Sequence, residues 1–418
     1  MIKELVKASV ILLIVSMGAA CGGGGSSDPV PPVESPAPDP QPDPAPDPAP
    51  DPQPDPQPDS FSESELIESI IDNVYIPTFE LFAQEAETLN SAIQAYCDSL
   101  PMDSENTLGT AQDRWKDTID AWQMIELMQV GPLFDDGNAL RNIVYSWPNN
   151  NACSVDQEIL ESETAPYSLT DVSNSRRGLD AIEYLLFDND LNHKCTMPSD
   201  GLIAWNNRMD DDRMAARCNF ASILAEDVVL QADQIVASWT GDMGYGNTLK
   251  SAGEQGSQFS TSLEGINDIS DALFYFTGPM KDGKIATPVG LRANNCGLEP
   301  CTEDAESVFS DYSLENIITN MKALRMILIG GSDEDTGFID FLNDVGDTET
   351  ATNIITELDD AIALAEGFTS TYSEALTQET EEVIELHDEV NKVDDILKSD
   401  FLESLALELP ATSAGDND

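Results

Sequence analysis

Histidine is almost absent from this chain of 418 residues, which contains only His193 and His387. A Ser/His/Asp catalytic set needs a histidine beside its nucleophile, and zinc sites are built mainly from histidine and cysteine. The sequence also has no Cys-x-x-Cys pair and no glycine-rich loop of the kind that cradles phosphate groups. These absences argue against serine-hydrolase, zinc-dependent and P-loop chemistry.

Basic residues are scarce as well. The chain has 19 lysines and arginines against 78 aspartates and glutamates, which gives a formal net charge of −59 at pH 7. Such a surface repels the phosphates of nucleic acids and the headgroups of anionic lipids, so neither is expected as a partner. One interpretation of the acidity is that it attracts cations. The other is solubility in a salty environment, where dissolved ions screen the repulsion between like charges.

A membrane-spanning helix takes about 20 apolar residues, and the apolar run over residues 8–17 is too short to be one. It follows two lysines and precedes Gly18-Ala19-Ala20-Cys21. This pattern predicts a secretory signal peptide over residues 1–20, with Cys21 as the lipidated first residue of a mature, membrane-anchored lipoprotein. The alternative is an ordinary cleaved signal with a cysteine nearby. Gly22 replaces the aspartate that commonly retains lipoproteins in the inner membrane, which favours the outer membrane.

Proline and aspartate dominate the segment that follows. Residues 28–59 contain repeated Pro-Asp-Pro-Ala and Pro-Asp-Pro-Gln units. Closely spaced prolines fix φ and remove N–H donors, so neither a helix nor a sheet can form. Residues 21–60 are therefore predicted to be a disordered, extended tether, which in the polyproline conformation rises by about 3.1 Å per residue.

The cysteines predict disulfide bonds. If Cys21 is lipidated, six cysteines remain, and an even number in an exported chain favours pairing. Cys296 and Cys301 flank a turn-like Gly-Leu-Glu-Pro sequence and are predicted to pair with each other. The sequence leaves the pairing of the other four open, with one possibility being Cys97–Cys153 and Cys195–Cys218.

Apolar residues recur at three- and four-residue spacing along most of the chain after residue 61, whereas strand-like alternation is nearly absent. This periodicity predicts an all-α fold. Leu66, Ile70 and Val74 begin the first helix, and Pro77 is expected to kink or restart it. Residues 133–170 show few periodic signals and are predicted to form a long irregular connection. The other predicted helices span residues 108–130, 172–187, 202–239, 259–277, 313–329, 348–371 and 378–407.

Glycine, serine and other polar residues are frequent in residues 240–258, which marks a candidate domain boundary. The helices on either side fit two up-and-down bundles. The predicted organisation is therefore an N-terminal bundle over residues 61–240, a connection over residues 241–258 and a C-terminal bundle over residues 259–418.

Two carboxylates stand in an otherwise apolar helical segment. Asp180 and Glu183 are three residues apart, which places them on one face of a helix. A buried carboxylate needs a cation, a hydrogen-bond donor or a proton, because burial without a partner is costly. Arg176 or Arg177 could supply the positive charge and make the pair a structural salt bridge. The alternative is a hard metal ion, which prefers oxygen ligands.

The segment Gly178-Leu179-Asp180-Ala181-Ile182-Glu183-Tyr184-Leu185-Leu186 resembles the imelysin signature, written Gly-x-His-x-x-Glu and usually continued by Tyr-Leu-Leu. The resemblance covers about residues 62–418, with further matching segments in the family's order. They are Trp115, Trp122 and Glu126 before Gly131-Pro132; Tyr145-Ser146-Trp147-Pro148; Val155-Asp156-Gln157; Lys284-Ile285-Ala286-Thr287-Pro288-Val289-Gly290; Glu306-Ser307 with Ser310; Leu397-Lys398-Ser399-Asp400-Phe401; and the tail Gly415-Asp416-Asn417-Asp418.

The resemblance implies a two-bundle helical lipoprotein of the cell envelope, tied to iron supply in a family that is also classed as M75 metallopeptidases. The family's candidate site falls on Asp180 and Glu183, with Glu126, Asp156 and Glu306 as further candidate ligands. Asp180 replaces the signature histidine, which argues against zinc-dependent proteolysis. An all-oxygen site suits iron(III), calcium or magnesium better than zinc.

Three functions are compatible with these observations. The leading hypothesis is a non-catalytic envelope lipoprotein that binds iron, an iron-bearing species or a partner, such as an iron-uptake receptor or another envelope protein. The second is an M75-type metallopeptidase, against which the missing histidine counts. The third is a structural or adaptor lipoprotein without a metal site, in which Asp180 and Glu183 are paired with Arg176 or Arg177.

Overall fold

Helices account for the regular structure in the computed structural model, which describes residues 61–101 and 104–410. The all-α prediction is confirmed for this part of the chain, where the one extended pairing is a single bridge between Asn294 and Gly297. The α-helices are α1 (Glu63–Ser69), α2 (Ile76–Ser99), α3 (Ser104–Ile125), α4 (Asp135–Val144), α5 (Ala152–Ser162), α6 (Gly178–Phe187), α7 (Asp200–Trp205), α8 (Asp210–Trp239), α9 (Tyr245–Lys250), α10 (Ser262–Leu273), α11 (Thr287–Val289), α12 (Ser313–Leu328), α13 (Phe338–Asp344), α14 (Thr348–Glu366), α15 (Tyr372–Gln378), α16 (Thr380–Ile396) and α17 (Leu402–Leu405).

The predictions for the two chain ends fall outside these residues. They are the signal peptide over residues 1–20, the lipidated Cys21, the tether over residues 21–60 and the tail over residues 415–418. Within residues 61–101 and 104–410, no helix is both long and apolar enough to cross a membrane.

Wider, π-helical turns interrupt the α-helices at three places, Ile70–Tyr75, Phe276–Ala286 and Leu397–Phe401. The first joins α1 to α2 without a break and is followed directly by Pro77, which has no N–H to donate to the preceding turn. The expected restart of the helix at Pro77 therefore takes the form of a π-helical turn. The second carries two buried lysines, Lys281 and Lys284.

Helix packing positions α6 at the centre of the first half of the chain. Helix α2 packs against α3 and α8, and α6 packs against the same two helices. In the second half, α14 packs against α16 and α12, and α12 also contacts α3. Helix α1 reaches across to α9, α10 and α13. The buried apolar side chains form one continuous core through both halves, and the division into two domains at residues 241–258 stays a prediction.

Several predicted helix limits are wrong. Residues 133–170 are not wholly irregular, because they contain α4, which is interrupted by left-handed residues at 136–138, and α5, and both are too short for a strong periodic pattern. The predicted helix over residues 202–239 is broken between α7 and α8, and the polar segment over residues 241–258 contains α9. Helix α3 ends at Ile125, before the glycine and proline that were expected to stop it at residue 130.

The six cysteines that follow Cys21 form three disulfide bonds. Cys296–Cys301 is confirmed. The other possibility raised from the sequence is wrong, since the bonds are Cys97–Cys218 and Cys153–Cys195. Cys97 lies on α2 and Cys218 on α8, two helices that pack together although 121 residues separate the cysteines. Sequence spacing carries no information on such a contact.

Removing the long-range disulfide should destabilise the protein more than removing the short-range one. A cross-link lowers the entropy of the unfolded chain by an amount that grows with the logarithm of the number of residues in the loop it closes. Cys97→Ala/Cys218→Ala should therefore lower the free energy of unfolding by about 5 kcal/mol, and Cys296→Ala/Cys301→Ala should lower it by about 2 kcal/mol. Urea unfolding without reductant measures both losses. Equal losses, or the reverse order, would contradict the expectation.

Candidate functional site

Helix α6 begins at a glycine that the packing requires. Gly178 has a left-handed φ of +84°, and a β-carbon here would overlap the carbonyl oxygen of Val144 at the end of α4. Only glycine combines this φ with such a close approach. Asp180 and Glu183 follow on the first turns of α6, with 2% and 1% of their surfaces exposed. The burial expected for these carboxyl groups is therefore present.

Glu183 is hydrogen-bonded to a loop more than 120 residues away. Its Oε1 accepts from the backbone N–H of Phe309 at 3.0 Å, the backbone N–H of Ser310 at 2.8 Å and the hydroxyl of Ser310 at 2.8 Å. These donors lie in residues 306–311, the loop before α12. Loop 306–311 is bent by two left-handed residues that are not glycine, Ser307 at φ +48° and Asp311 at φ +54°. Such conformations persist only where surrounding contacts hold them.

Asp180 has one partnered oxygen. Its Oδ2 accepts from the hydroxyl of Ser146 at 2.6 Å. Its Oδ1 is buried without a hydrogen-bond partner. Burial raises the pKa of Asp180 to about 6, although the hydrogen bond from Ser146 lowers it. Burial also raises the pKa of Glu183 to about 7, although the hydrogen bonds from Ser310 lower it. Both carboxyl groups therefore hold a proton more strongly than an exposed acid does.

Lys284 joins two further acids. Its ammonium group lies 2.7 Å from Glu126 Oε2 and 3.1 Å from Glu306 Oε1. It also donates to Asn320 Oδ1 at 2.8 Å and to Gln123 Oε1. Lys284, Glu126 and Glu306 are each at most 1% exposed. Arg141 adds a second positive charge 3.5 Å from Glu126 Oε1.

Two consecutive residues link these two groups of acids. The Tyr145 hydroxyl donates to Glu306 Oε1 at 2.9 Å, and the next side chain, Ser146, donates to Asp180. Burial and the negative charges of Glu306, Glu126, Asp180 and Glu183 together raise the pKa of Tyr145. We call the six residues Glu126, Tyr145, Asp180, Glu183, Lys284 and Glu306 the signature cluster.

Comparison with protein-family models identifies the chain. The model described as Imelysin (Peptidase_M75) matches residues 75–399. The chain belongs to the imelysin family. The resemblance to the imelysin family is thereby confirmed.

Relatives agree with this assignment. The chain is 24% identical over 229 residues to the iron-regulated protein A of Synechococcus elongatus. The matched residues make up 54% of this chain and 55% of that protein. The chain thus spans about half the length of this curated relative. A solved structure from Parabacteroides distasonis, classed as an iron-regulated protein A precursor, has a TM-score of 0.64 at 16% identity and covers 82% of this chain and 96% of its own. The solved structure of an imelysin-like protein from Psychrobacter arcticum has a TM-score of 0.64 at 17% sequence identity. That match covers 84% of this chain and 98% of the other. These likenesses confirm the imelysin-like helical fold.

The arginines beside the imelysin signature do not neutralise it. Arg176 pairs with Glu158 at 2.9 Å, and Arg177 donates through Nε to Asp227 Oδ2 at 3.0 Å. The predicted pairing of these arginines with Asp180 and Glu183 is therefore wrong. The backbone turns away at Arg177, which is extended, so its side chain points towards α8 and not along α6.

Asp156 lies outside the signature cluster. It accepts from the Tyr184 hydroxyl at 2.8 Å and from the Lys194 backbone N–H at 2.6 Å. Of the three further candidate ligands, the structure thus brings Glu126 and Glu306 to the site and leaves Asp156 with a separate set of partners.

Sequence reasoning missed Lys284 as a site residue. Lys284 stands in a segment that resembles the family, but that resemblance gives it no role at the site. A lysine between the apolar residues Met280 and Ile285 nevertheless needs a partner for its charge if it is buried, as Asp180 and Glu183 do. Tyr145 and Ser146 also stand in a segment that resembles the family, but hydroxyl side chains are common on exposed helix ends and loops and do not indicate burial. The same is true of Arg141.

The signature cluster does not fit a resident metal ion. Within the described residues, no three His, Cys, Asp or Glu side chains are placed to hold one. Two carboxylate oxygens, Asp180 Oδ1 and Glu306 Oε2, are buried without a hydrogen-bond partner. Two oxygens are too few, since metal ions in proteins take about four to eight ligands. Lys284 and Arg141 already supply positive charge to Glu126.

Asp180→Asn should flatten the pH dependence of stability. The folded protein holds the Asp180 proton up to about pH 6, whereas an unfolded aspartate loses it near pH 3.9. The free energy of unfolding therefore falls between about pH 4 and pH 6, by on the order of 3 kcal/mol. Asparagine cannot ionise, so the variant should gain stability over the wild type as the pH rises through this window.

Thermal unfolding from about pH 4 to pH 8 measures this difference. Asp360→Asn is the control, because Asp360 is exposed and its replacement removes one negative charge without removing a buried acid. The same pH dependence in Asp180→Asn and in Asp360→Asn would contradict the burial argument.

Proposed function

We propose that this imelysin is a non-catalytic lipoprotein of the cell envelope that serves iron supply by binding an iron-bearing species or a partner protein. Support for the iron connection comes from the family match and from relatives named as iron-regulated proteins. Support for the envelope comes from the signal-like residues 1–20 before Cys21 and from the three disulfides, which are typical of oxidising compartments.

The observation that favours binding over catalysis is the environment of Glu183. A general base or a metal ligand needs a free lone pair directed at its substrate or ion. Glu183 Oε1 instead accepts three hydrogen bonds from loop 306–311. The neighbouring acids Glu126 and Glu306 are bound to the Lys284 ammonium group. Each of these three acids thus has at least one oxygen bound to an internal partner.

The charge of the molecule indicates what kind of species it binds. Every lysine and arginine of the described residues except Lys116 forms an ion pair with a carboxylate. Lys116 lies over the ring of Tyr312. The unpaired surface charge is therefore negative, which favours a cationic species or a basic protein surface.

Deleting the gene in its native host should slow growth when iron is limited by a chelator and leave growth in iron-replete medium unchanged. The full-length wild type should restore growth. Cys21→Ser should not restore it, because without the thiol the chain cannot receive its lipid, and immunoblots should find it in the soluble fraction. Equal growth of the deletion strain and the wild type at all iron concentrations would contradict the proposal.

Catalysis is tested on the purified full-length mature protein. We expect no chelator-sensitive cleavage of an unfolded casein substrate after incubation with Fe²⁺, Zn²⁺ or Mg²⁺. Metal-dependent cleavage that is lost in Glu183→Gln would identify the protein as a peptidase and overturn the non-catalytic part of the proposal.

A further inference from the structure

We infer that the imelysin signature of this chain is a structural latch, in which Glu183 fixes loop 306–311 to helix α6, and not a ligand set for a metal ion. The inference is independent of the proposed role in iron supply, because it concerns what the signature does and not what the surface binds. It rests on the hydrogen bonds of Glu183, the backbone of the loop and the charges around the cluster.

The first observation is the geometry at Glu183. Two consecutive backbone N–H groups, of Phe309 and Ser310, point to the same carboxylate oxygen, and the Ser310 hydroxyl joins them. Successive N–H groups directed at one point form an anion-binding concavity. Glu183 Oε1 is therefore placed as the acceptor on which the donors of the loop converge.

The second observation is the conformation of the loop. The left-handed residues Ser307 and Asp311 stand on either side of Phe309 and Ser310. Neither is a glycine, so the bend is maintained by contacts. Ser307 Oγ accepts from Asn316 at 2.9 Å, and Asp311 Oδ1 accepts from Ser373 at 2.8 Å. These contacts fix the ends of loop 306–311, and Glu183 fixes its centre.

The third observation concerns the connection that the latch makes. Glu183 is on α6, which packs among α3 and α8, and loop 306–311 leads into α12, which packs against both α3 and α14. The same loop carries Glu306, which accepts from Lys284, Tyr145 and Gln123. Loop 306–311 thus receives charged or hydrogen-bonding contacts from both halves of the chain, and Glu183 supplies three of them.

The fourth observation is electrostatic. A metal ion placed among these acids would lie close to the Lys284 ammonium and the Arg141 guanidinium, which already bind Glu126. Like charges repel strongly at short range in a buried site. Asp180 stands where the family signature has histidine, so the nitrogen ligand of that position is missing as well. Glu126 and Glu306 thus have their positive charge supplied by the chain itself.

Glu183→Gln and Glu183→Ala separate the latch from a metal site. Glutamine keeps an oxygen acceptor for the three donors, whereas alanine removes it. For a latch, Glu183→Ala should lower the melting temperature by several degrees and raise hydrogen exchange in residues 306–311 at least tenfold, with much smaller changes in Glu183→Gln. The measurements are differential scanning calorimetry and hydrogen-exchange mass spectrometry of the full-length mature protein.

A metal site gives a different pattern in the same samples. Titration calorimetry with Fe³⁺ citrate, Fe²⁺, Ca²⁺ or Mg²⁺ would then show one ion per chain in the wild type, and the binding would be lost in both Glu183→Gln and Glu183→Ala. That result would overturn the latch. For a latch we expect only weak, salt-sensitive binding, equal in wild type, in both variants and in the control Glu385→Gln, which changes an exposed acid.

Ser310→Ala keeps the test decisive if Glu183→Ala fails to fold. It removes the hydroxyl donor and leaves both backbone donors in place. A latch predicts a smaller but measurable rise in hydrogen exchange of residues 306–311. Exchange equal to the wild type in Ser310→Ala would contradict the latch. None of these results depends on growth under iron limitation, so failure of the latch and failure of the iron-supply proposal are distinguishable.

Discussion

Charge that is buried must be compensated, and this constraint organises the interior of the molecule. An isolated ionised group is too costly to remove from water, whereas a paired and hydrogen-bonded one is tolerated. Lys284 lies between Glu126 and Glu306, and Lys281 lies 3.1 Å from Asp394, which is fully buried. Both lysines project from the π-helical segment Phe276–Ala286. π-helical turns are often found where side chains must reach a functional position, and here they direct two ammonium groups into the core.

The same constraint shapes the surroundings of helix α6. Arg217 on α8 is 3% exposed and donates to the carbonyl oxygens of Tyr184 at 2.7 Å and Asp188 at 3.2 Å. The Tyr184 carbonyl also accepts from the Asp188 N–H at 3.2 Å, so Arg217 adds a further donor at the end of α6, where backbone carbonyls run out of helical partners. Glu183 fixes the middle of α6 to loop 306–311, and Gly178 sets its start against α4. The signature helix is thereby held at its start, its middle and its end by residues from three separate parts of the chain.

The sequence predicted what depends on local pattern. Apolar periodicity identified the helical class, and the pair Asp180 and Glu183 was correctly singled out as carboxyl groups in an apolar helix. Their partners were not predictable, because Ser146 and Ser310 stand only in segments that resemble the family, and no local pattern links either serine to Asp180 or Glu183. The adjacent Arg176 and Arg177 were the obvious choice, and tertiary packing directed them to Glu158 and Asp227 instead. The disulfide Cys97–Cys218 escaped prediction for the same reason. Helices α4 and α5 were missed because a helix of about three turns presents few repeats of its apolar pattern.

In the part of the chain that the structure describes, nearly all lysines and arginines are paired with carboxylates, and the acidic excess affects how the molecule approaches others. The net charge of −59 gives the protein a negative potential that decays over about 8 Å in a solution of physiological ionic strength. Two copies approaching each other are pushed apart before their surfaces touch. A positively charged body is drawn in and oriented over that distance, so its rate of encounter is high in dilute salt and declines as counterions accumulate. The scarcity of free lysine and arginine thus sets the speed of association as well as the sign of the surface.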